Sequence, residues 1–293
     1  MKRHDVLFAY ISVAIPLIIA IIFTVYPVAY SLWLSLHKIK LTRLHKMKFI
    51  GLTNFYKVFT DSYFIVSLKN SLLFTTLAVI LTSVLGIGIA LLLNEKFKGV
   101  EILKTIILLP WSLPTVIAGI MWWWLFNSDY GAFNGFLYSL GVIDKYIPWL
   151  STPHLAFFSV LIAHLWKELP LTSILFLAAL QTIPPEIVDA AKIDGASRFL
   201  VFKNVTFPFL KPVLQVAVIY ETMVGLVTFD IIYVMTGGGP GDATSLLAWY
   251  GYTETFTFLD LGKGAALSFI LATILLCLII MYLKVIKVGV IYE

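Results

Sequence analysis

The sequence predicts an all-α integral membrane protein with six transmembrane helices and a two-helix loop between the fourth and fifth of them. Its 293 residues are 60% hydrophobic and only 13% charged, and the mean hydropathy is +0.95. A soluble domain of this composition would have a largely apolar surface. Six apolar segments also reach the length of about twenty residues that a helix needs to cross a bilayer. The chain therefore belongs to the polytopic membrane class.

The first apolar segment follows Met-Lys-Arg-His, which could indicate a signal peptide. Its apolar run is too long and lacks a small-residue cleavage site, so we expect a retained anchor. Several prolines lie in or near the spans, where neighbouring helices can satisfy the freed carbonyl groups. We expect the spans at Leu7–Leu34, Leu72–Leu93, Thr105–Phe126, Leu155–Leu180, Leu210–Met235 and Ala266–Ile286.

The segment 184–212 between the fourth and fifth spans predicts two short helices lying beside the membrane. Two prolines suit the start of the first helix, where a missing backbone N–H costs nothing, and Glu186 and Asp189 favour its first turns electrostatically. Gly195 stands where a residue in the left-handed conformation would end this helix. Small residues leave its backbone accessible to a large partner, although composition alone also fits an ordinary interfacial loop.

The order of residues in this segment, D-A-A-x-x-D-G-A and then F-P-x-L-x-P, resembles the EAA loop of ABC importer membrane subunits. In that family the helix of the loop docks into a cleft on a separate ATPase. Asp189 replaces the usual Glu and Phe207 the usual Leu, and these changes keep the carboxylate and the bulk. The resemblance implies a type I ABC importer permease with a cytoplasmic coupling loop at 184–205. The residues that would couple it to the ATPase are Glu186, Asp189, Ala190, Ala191, Asp194, Gly195 and Ala196.

Four further segments resemble carbohydrate-uptake permeases, of the type represented by the larger membrane subunit of maltose-type importers. They are FIGLTNFYKVFTD (49–61), IALLLNEKFKG (89–99), LLPWSLPTVIAGIMWWWLFNSDYGAFNG (108–135) and MTGGGPGDAT (235–244). The resemblance implies one permease domain over residues 1–293 that moves a sugar, specifically a di- or oligosaccharide, across the cytoplasmic membrane. It also implies a second permease subunit, two ATPase subunits that carry ATP and Mg²⁺, and an extracytoplasmic sugar-binding protein.

Lysine and arginine predict the orientation, because cytoplasmic loops carry an excess of them. With both termini inside, the cytoplasmic side holds Lys2, Arg3, Lys96, Lys98, Lys104, Lys192, Arg198, Lys203, Lys211, Lys284 and Lys287. The outer loops hold Lys145 and Lys263, but the first of them adds Lys38, Lys40, Arg43, Lys46, Lys48, Lys57 and Lys69. That loop contradicts the rule. We still expect cytoplasmic termini, chiefly because the coupling loop must face the cytoplasm.

Ionisable residues inside the spans predict where a substrate crosses. Each costs roughly 2.5–3.5 kcal/mol at mid-membrane and therefore usually faces a cavity or a partner. His164 and Glu168 share one face of the fourth span. Glu221, Gly225 and Thr228 form one stripe on the fifth, from which Asp230 points about half a turn away. The structural alternatives are an ion pair between Lys167 and Glu168, and a hydrogen bond from Glu221 that fixes helix packing.

The maltose-type resemblance sharpens this prediction through the W-x-x-x-P and GGGP landmarks, which begin at residues 166 and 237. Aligned on them, His164, Glu168, Gly225 and Thr228 fall at family sugar-contact positions, and Glu221 completes the predicted substrate path. These side chains differ from the asparagines prominent in the maltose case, so the particular sugar stays open. Hydroxyl-rich ligands need hydrogen-bonding groups and aromatic faces, which these polar side chains and the nearby Trp166 and Phe229 provide.

The chain carries no sequence motif for catalysis, metal binding or nucleotide binding. GGGPGDAT lacks the Lys-Ser/Thr pair of a P-loop and follows no strand, and neither HExxH, Cys/His metal spacing nor GxSxG occurs. The net charge of +5 does not predict nucleic-acid binding, because the basic residues lie between spans. A proton-coupled secondary transporter that uses His164, Glu168 and Glu221 remains an alternative. It would leave the loop at 184–205 without a role.

Overall fold

The structure is a computed structural model, and it describes residues 3–286. Lys2 and Lys287, which the orientation prediction counts, lie outside the described residues, as do both chain ends. The first half contains α1 (Arg3–Ala20), α2 (Tyr26–Ser35), α3 (Thr53–Phe59), α4 (Ser62–Asn94), α5 (Val100–Ile107), α6 (Leu109–Ser112), α7 (Thr115–Leu125) and α8 (Ala132–Ser139). The second contains α9 (Pro153–Leu180), α10 (Pro185–Ile193), α11 (Arg198–Val201), α12 (Phe207–Val227), α13 (Asp230–Met235), α14 (Leu247–Tyr252) and α15 (Leu261–Val285).

Five helical segments of the described chain are long and apolar enough to cross a membrane. They are Ser12–Ser35, Ser62–Asn94, Pro153–Leu180, Arg198–Val227 and Leu261–Val285. A sixth crossing is made if Val100–Ser112 and Thr115–Leu125, which are bent by 97° at a short break, count as one span. With that pair, the described helices match the six predicted spans in number and order.

The third span is not the single straight helix that was predicted for Thr105–Phe126. Leu113 is extended (ψ 141°) and Pro114 follows it with ψ 137°. A residue that precedes proline is pushed out of the helical region by the proline ring, so the helix ends before Pro114 and restarts after it. The predicted span Thr105–Phe126 is therefore divided at this proline into two helical parts.

The prediction of two short loop helices separate from the fifth span is wrong for the second of them. α11 continues through a five-residue π-helical turn, Phe202–Thr206, directly into α12. Pro208 follows this turn at the start of α12, and the wider turn gives its ring room that a regular α-helix would not. The fifth span therefore begins at Arg198 and reaches the loop itself.

The fifth span also ends earlier than the predicted Met235. α12 stops at Val227, and Thr228 is extended with φ −58° and ψ 118°. Phe229 follows with φ −138°, and a new helix, α13, begins at Asp230. The predicted stretch Leu210–Met235 is thus two helices with a two-residue break inside an apolar run.

The described chain forms two compact units, the first made of residues up to 64 together with 250–272. It contains the two-stranded antiparallel hairpin β1 (His37–Lys38) and β2 (Lys48–Phe49), in which His37 lies opposite Phe49. Asn54 on α3 donates from Nδ2 to the carbonyls of Ser35 and His37, at 2.8 and 2.9 Å. These two bonds hold α3 against the end of α2.

A cluster of charged and hydroxyl side chains joins Asp61, before α4, to the segment that holds Tyr250, Glu254 and Lys263. Lys263 Nζ lies 2.8 Å from both Asp61 Oδ2 and Glu254 Oε1, and the Tyr250 hydroxyl donates to Asp61 at 2.6 Å. Burial alone would raise the pKa of Asp61, but the hydrogen bonds from Lys263 and Tyr250 outweigh it and hold that pKa below its usual value. Burial, followed by the hydrogen bond to Asp61, raises the pKa of Tyr250.

The second unit comprises residues 65–249 and the described residues from 273 onward. Its central helix is α9, which packs against α6, α7, α12 and α13 and is the most buried of the candidate spans. One apolar cluster around Phe74, Phe157 and Ile231 surrounds one part of α9, and a second around Phe176 and Leu210 surrounds another part. The GGGP turn packs into the same unit, where Thr244 Oγ1 donates to the Gly239 carbonyl at 2.8 Å.

Candidate substrate path and coupling segment

His164 and Glu221 form a buried pair between α9 and α12. His164 Nε2 lies 2.7 Å from Glu221 Oε1, and the two residues are 4% and 1% exposed. Phe74 of α4 packs edge-on against the imidazole with the ring centroids 5.1 Å apart. The structure thus brings together two of the predicted path residues. The hydrogen bond considered as the structural alternative for Glu221 is present.

The second carboxylate oxygen of Glu221 has no hydrogen-bond partner among the described residues. A buried polar atom without a partner costs about 1–3 kcal/mol, and more if it is charged. Native proteins hold few such atoms, and those that persist usually have a reason beyond packing. The contact between Glu221 and His164 thus leaves one buried carboxylate oxygen unsatisfied within the described residues.

Glu168 lies one turn after His164 on α9, and two neighbouring side chains contact its carboxylate. The Tyr220 hydroxyl donates to Glu168 Oε2 at 3.0 Å, and Lys167 Nζ lies 3.6 Å from Glu168 Oε1. The ion pair that the sequence offered as the structural alternative is therefore present. Tyr220 was missed by sequence reasoning, although a tyrosine next to a glutamate in an apolar span was a usable signal.

A cavity of about 390 Å³ lies beside these pairs. Its polar wall comes from α7, α9 and the break between α12 and α13, and its apolar wall includes Met223, Val224 and Phe229. Irregular backbone within a membrane span is tolerated where it is buried in protein or lines a cavity, and broken helices of this kind form the binding sites of many transporters. The polar lining residues are Thr115, His164, Lys167, Glu168, Thr228 and Asp230.

Three of the five predicted path residues, His164, Glu168 and Thr228, line the cavity, and two do not. Glu221 lies behind His164. Gly225 faces α4, where an added Cβ would lie 3.3 Å from Thr75 Oγ1, so it permits close helix approach and does not contribute to the cavity wall. Asp230, predicted to point away, lines the cavity because the chain unwinds at Thr228 and Phe229. The stripe predicted from helical spacing fails at this break.

The predicted coupling residues lie on and just after α10. Gly195 has φ +80°, as the predicted left-handed end of this helix requires, and the Ala196 N–H donates to the Ala191 carbonyl at 3.0 Å, which closes the helix end. Asp189 pairs with Lys192 at 3.0 Å. The exposed members of the predicted set are Glu186, Asp189, Ala190, Asp194 and Gly195, and the half-buried ones are Ala191 and Ala196.

Large apolar side chains are exposed along the same segment. Ile193 is 86% exposed and Phe199 is 72% exposed, with Ile187 and Leu200 also open. Within the part of the chain that the structure describes, no apolar cluster covers them. Exposed apolar residues grouped on a helical loop are typical of a docking surface.

Membrane-crossing helices around a polar cavity, with an exposed helical loop between two of them, define a membrane subunit of a transport protein. The chain matches the family of binding-protein-dependent transport system inner membrane components over residues 82–286, and it belongs to that family. The resemblance to ABC importer permeases is therefore confirmed, and the chain is a multi-pass component of the inner membrane.

The relatives are permease subunits of transport systems and not enzymes. The chain is 40% identical to the trehalose/maltose transport system permease protein MalF of Thermococcus litoralis, over 97% of this chain and 95% of that protein. It is 37% identical to the sulfoquinovosyl glycerol transport system permease protein SmoG of Agrobacterium fabrum, over 97% and 91%.

The fold is also similar to that of a solved ABC transporter chain. The crystal structure is of the bacterial alginate ABC transporter in complex with the alginate pentasaccharide-bound periplasmic protein, and it matches with a TM-score of 0.82. The match covers 99% of this chain and 98% of that chain at 23% identity. At this identity the match supports the fold alone, which is the predicted ABC importer permease architecture.

Proposed function

We propose that this chain is the permease subunit of an ATP-binding-cassette importer that moves a sugar across the cytoplasmic membrane by alternating access. The observation that carries the proposal is the polar cavity at the break of the fifth span. Its volume of about 390 Å³ falls within the range of roughly 300–1,000 Å³ that is typical of ligand pockets. The names of both relatives refer to sugars or sugar derivatives, which supports a sugar as the ligand, and the trehalose/maltose relative supports a di- or oligosaccharide.

The cavity offers the groups that a polyhydroxylated ligand needs. Lys167 can donate hydrogen bonds, Glu168 and Asp230 can accept them, and Phe229 supplies an aromatic surface. His164 and Glu168 already have protein partners, which hold their side chains in place for further hydrogen bonds to a sugar. In this proposal His164, Glu168 and Thr228 contact the ligand, Glu221 holds His164 in place, and Gly225 sets the distance to α4.

Coupling to ATP hydrolysis runs through the loop at 184–205. The helical segment Arg198–Val227 starts inside this loop and ends at the break beside the cavity. Thirty residues of helix span about 45 Å, so a displacement of the loop is transmitted along one element to the cavity. Rigid-body rocking of this helix is a recognised way to open a site alternately to two sides.

The proposed assembly has two permease subunits, two ATPase subunits that bind ATP and Mg²⁺, and an extracytoplasmic sugar-binding protein. This chain forms a single permease domain with cytoplasmic termini and holds no cofactor. The secondary-transporter alternative is less well supported. It would use His164, Glu168 and Glu221 as a relay, whereas the family match is to binding-protein-dependent systems.

The test is uptake of labelled trehalose and maltose into proteoliposomes that contain this chain with its second permease and ATPases. Uptake should require both internal ATP and the binding protein. Val224→Trp should abolish most of it, because Val224 lines the cavity and the indole would fill that space. Val216→Trp is the matched control, because Val216 is an exposed residue of the same helix and lies away from the cavity.

Three outcomes would contradict the proposal in whole or in part. Uptake driven by a proton gradient in vesicles that lack the ATPases would establish the secondary-transporter alternative. Normal uptake by Val224→Trp, with the protein correctly inserted, would show that this cavity does not lie on the path. A substrate other than a sugar would overturn the ligand assignment and leave the permease assignment intact.

A further inference from the structure

Residues 37–59 form a continuous basic surface, here called the basic hairpin surface. It consists of β1, a 3₁₀ turn at Leu41–Lys46, β2 and α3. The sequence contains no acidic residue between Asp5 and Asp61. Among the described lysine and arginine residues of this surface, only Lys40 makes an ion pair, at 3.9 Å to Asp260. The exposed lysine and arginine side chains are Lys38, Lys40, Arg43, Lys46, Lys48 and Lys57.

Apolar side chains are exposed on the same surface. Leu52, Tyr56 and Phe59 recur at helical spacing and share one face of α3, and they are 69%, 69% and 57% exposed. Asn54 and Val58 occupy the opposite, buried face. α3 is therefore amphipathic in the sense opposite to a soluble helix, because its large apolar residues face outward next to lysines.

The surface is rigidly held, so its apolar face cannot simply turn inward. Asn54 fixes α3 through its two hydrogen bonds to the carbonyls after α2. The Leu41 N–H donates to the Leu259 carbonyl at 2.9 Å, and the Ile50 N–H donates to the Leu36 carbonyl at 3.0 Å. Exposure of Leu52, Tyr56 and Phe59 is thus built into the first unit.

The surface directly adjoins a candidate membrane span. α2 ends at Ser35, and its exposed rings Tyr26, Tyr30 and Trp33 stack at 6.1 and 5.7 Å. The row of rings continues with a tilted contact from Trp33 to His37 at 4.1 Å and an edge-on contact from His37 to Phe49 of the hairpin at 5.2 Å. Aromatic side chains at a span end mark the level of the lipid headgroups. Because the row of rings runs from the end of the span to Phe49, we expect the hairpin to lie at the level of the lipid headgroups.

We propose that the basic hairpin surface binds anionic phospholipid headgroups. The aromatic and aliphatic side chains insert at the level of the headgroups while the lysines and the arginine contact phosphates, which is the combination that interfacial amphipathic helices use. Lipid is favoured over an acidic soluble protein because the hairpin is joined to the exposed rings of a membrane span by the contacts of His37 with Trp33 and Phe49. The proposal also accounts for the excess of positive charge that contradicts the positive-inside rule, and it does not depend on the transport function.

The test uses the full chain in lipid nanodiscs of phosphatidylcholine with an increasing share of phosphatidylglycerol. Native mass spectrometry counts the retained phosphatidylglycerol molecules. Joint replacement of Lys38, Arg43, Lys46 and Lys48 by Gln should lower preferential retention by about tenfold, and added salt should lower that of the wild type. The control with Lys38→Arg, Lys46→Arg and Lys48→Arg keeps every charge and should retain phosphatidylglycerol as the wild type does.

A second variant keeps the test decisive if the four replacements disturb folding. Tyr56→Ser and Phe59→Ser together leave every charge in place, and they should also weaken retention because they remove the inserted rings. Equal phosphatidylglycerol retention by the correctly folded glutamine variant and the wild type would overturn the proposal. Unchanged retention with weaker affinity for the binding protein in pure phosphatidylcholine discs would assign the surface to a protein partner and also overturn it.

Discussion

At the scale of single residues, the main energetic feature is a buried, hydrogen-bonded pair of ionisable side chains in the second unit. Both partners, His164 and Glu221, are almost fully buried, and one oxygen of Glu221 lacks a partner among the described residues. A buried ion pair adds little net stability, since desolvation offsets the attraction, but removing one partner leaves the other uncompensated. The pair therefore constrains which substitutions α9 and α12 tolerate.

Glu221→Ala should lower the free energy of unfolding by about 3–5 kcal/mol. The change strands His164 and opens a gap between α9 and α12. Glu221→Gln keeps the shape and a hydrogen bond to the imidazole, so it should retain most of the stability. Thermal unfolding of the purified protein in detergent measures both variants. An alanine variant as stable as the wild type would show that the pair does not stabilise this helix contact.

At the scale of elements, the loop and the fifth span act as one continuous structure. α10 ends at Ile193 and Gly195 turns the chain two residues later. Ser197 caps the next helix by accepting from the Leu200 N–H at 3.4 Å, and the helical segment then runs on to Val227. A single residue in the left-handed conformation thus sets the angle between the docking helix and the span. This makes Gly195 the hinge through which the proposed coupling passes.

Gly195→Val should weaken association with the ATPase and abolish coupled transport while leaving membrane insertion intact. A β-branched residue resists the φ of +80° that Gly195 adopts. Gly195→Asn should be milder, because asparagine tolerates this conformation. Gly141→Val is the matched control. Gly141 also has positive φ and open space around it, but it lies in a different loop.

Co-purification of the ATPase with each variant is the measurement. Equal loss in the Gly141 and Gly195 variants would mean that strain anywhere in the chain disrupts the assembly, and the specific role of the loop would be lost. Normal co-purification and transport by Gly195→Val would show that this hinge does not position the docking helix.

The sequence predicted the number and order of the helical segments because each is an apolar run of sufficient length, which periodicity and hydropathy report directly. It did not predict the break at Thr228 and Phe229, since the run continues through Val227–Met235 without proline or glycine. The helix after the break, α13, packs against α7 and α9, and tertiary contacts of this kind are not visible in hydropathy or periodicity. Pro114 was visible in the sequence at the bend of the third span. The bend was not predicted from it, because prolines are tolerated in membrane helices. His164 and Glu221 were both selected as ionisable residues in spans, but their mutual hydrogen bond at 2.7 Å was not predicted, because sequence spacing does not report which residues of two different helices meet.

At the scale of the whole molecule, the open question is which loops share a side of the membrane. Loop sides alternate along the chain with each crossing, so the answer depends on the bent pair Val100–Ser112 and Thr115–Leu125. If the pair crosses, loops one, three and five lie together, and the coupling loop lies opposite. If the pair instead re-enters, every later loop changes side. In that case the N-terminus keeps its side of the membrane and the C-terminus lies on the opposite side.

Cysteine labelling of intact cells distinguishes these arrangements. Cys277 is the chain's single cysteine and is exposed, so it is first replaced by Ser. With cytoplasmic termini and six crossings, cysteines introduced at Lys46 and Gly241 should react with an impermeant thiol reagent from outside, and one at Lys192 should not. Reaction at 46 and 192 but not at 241 would show a re-entrant third segment. Reaction at 192 alone would show that the molecule has the inverted orientation. The proposed docking loop would then lie away from cytoplasmic ATP, and both the coupling mechanism and the topology would be refuted.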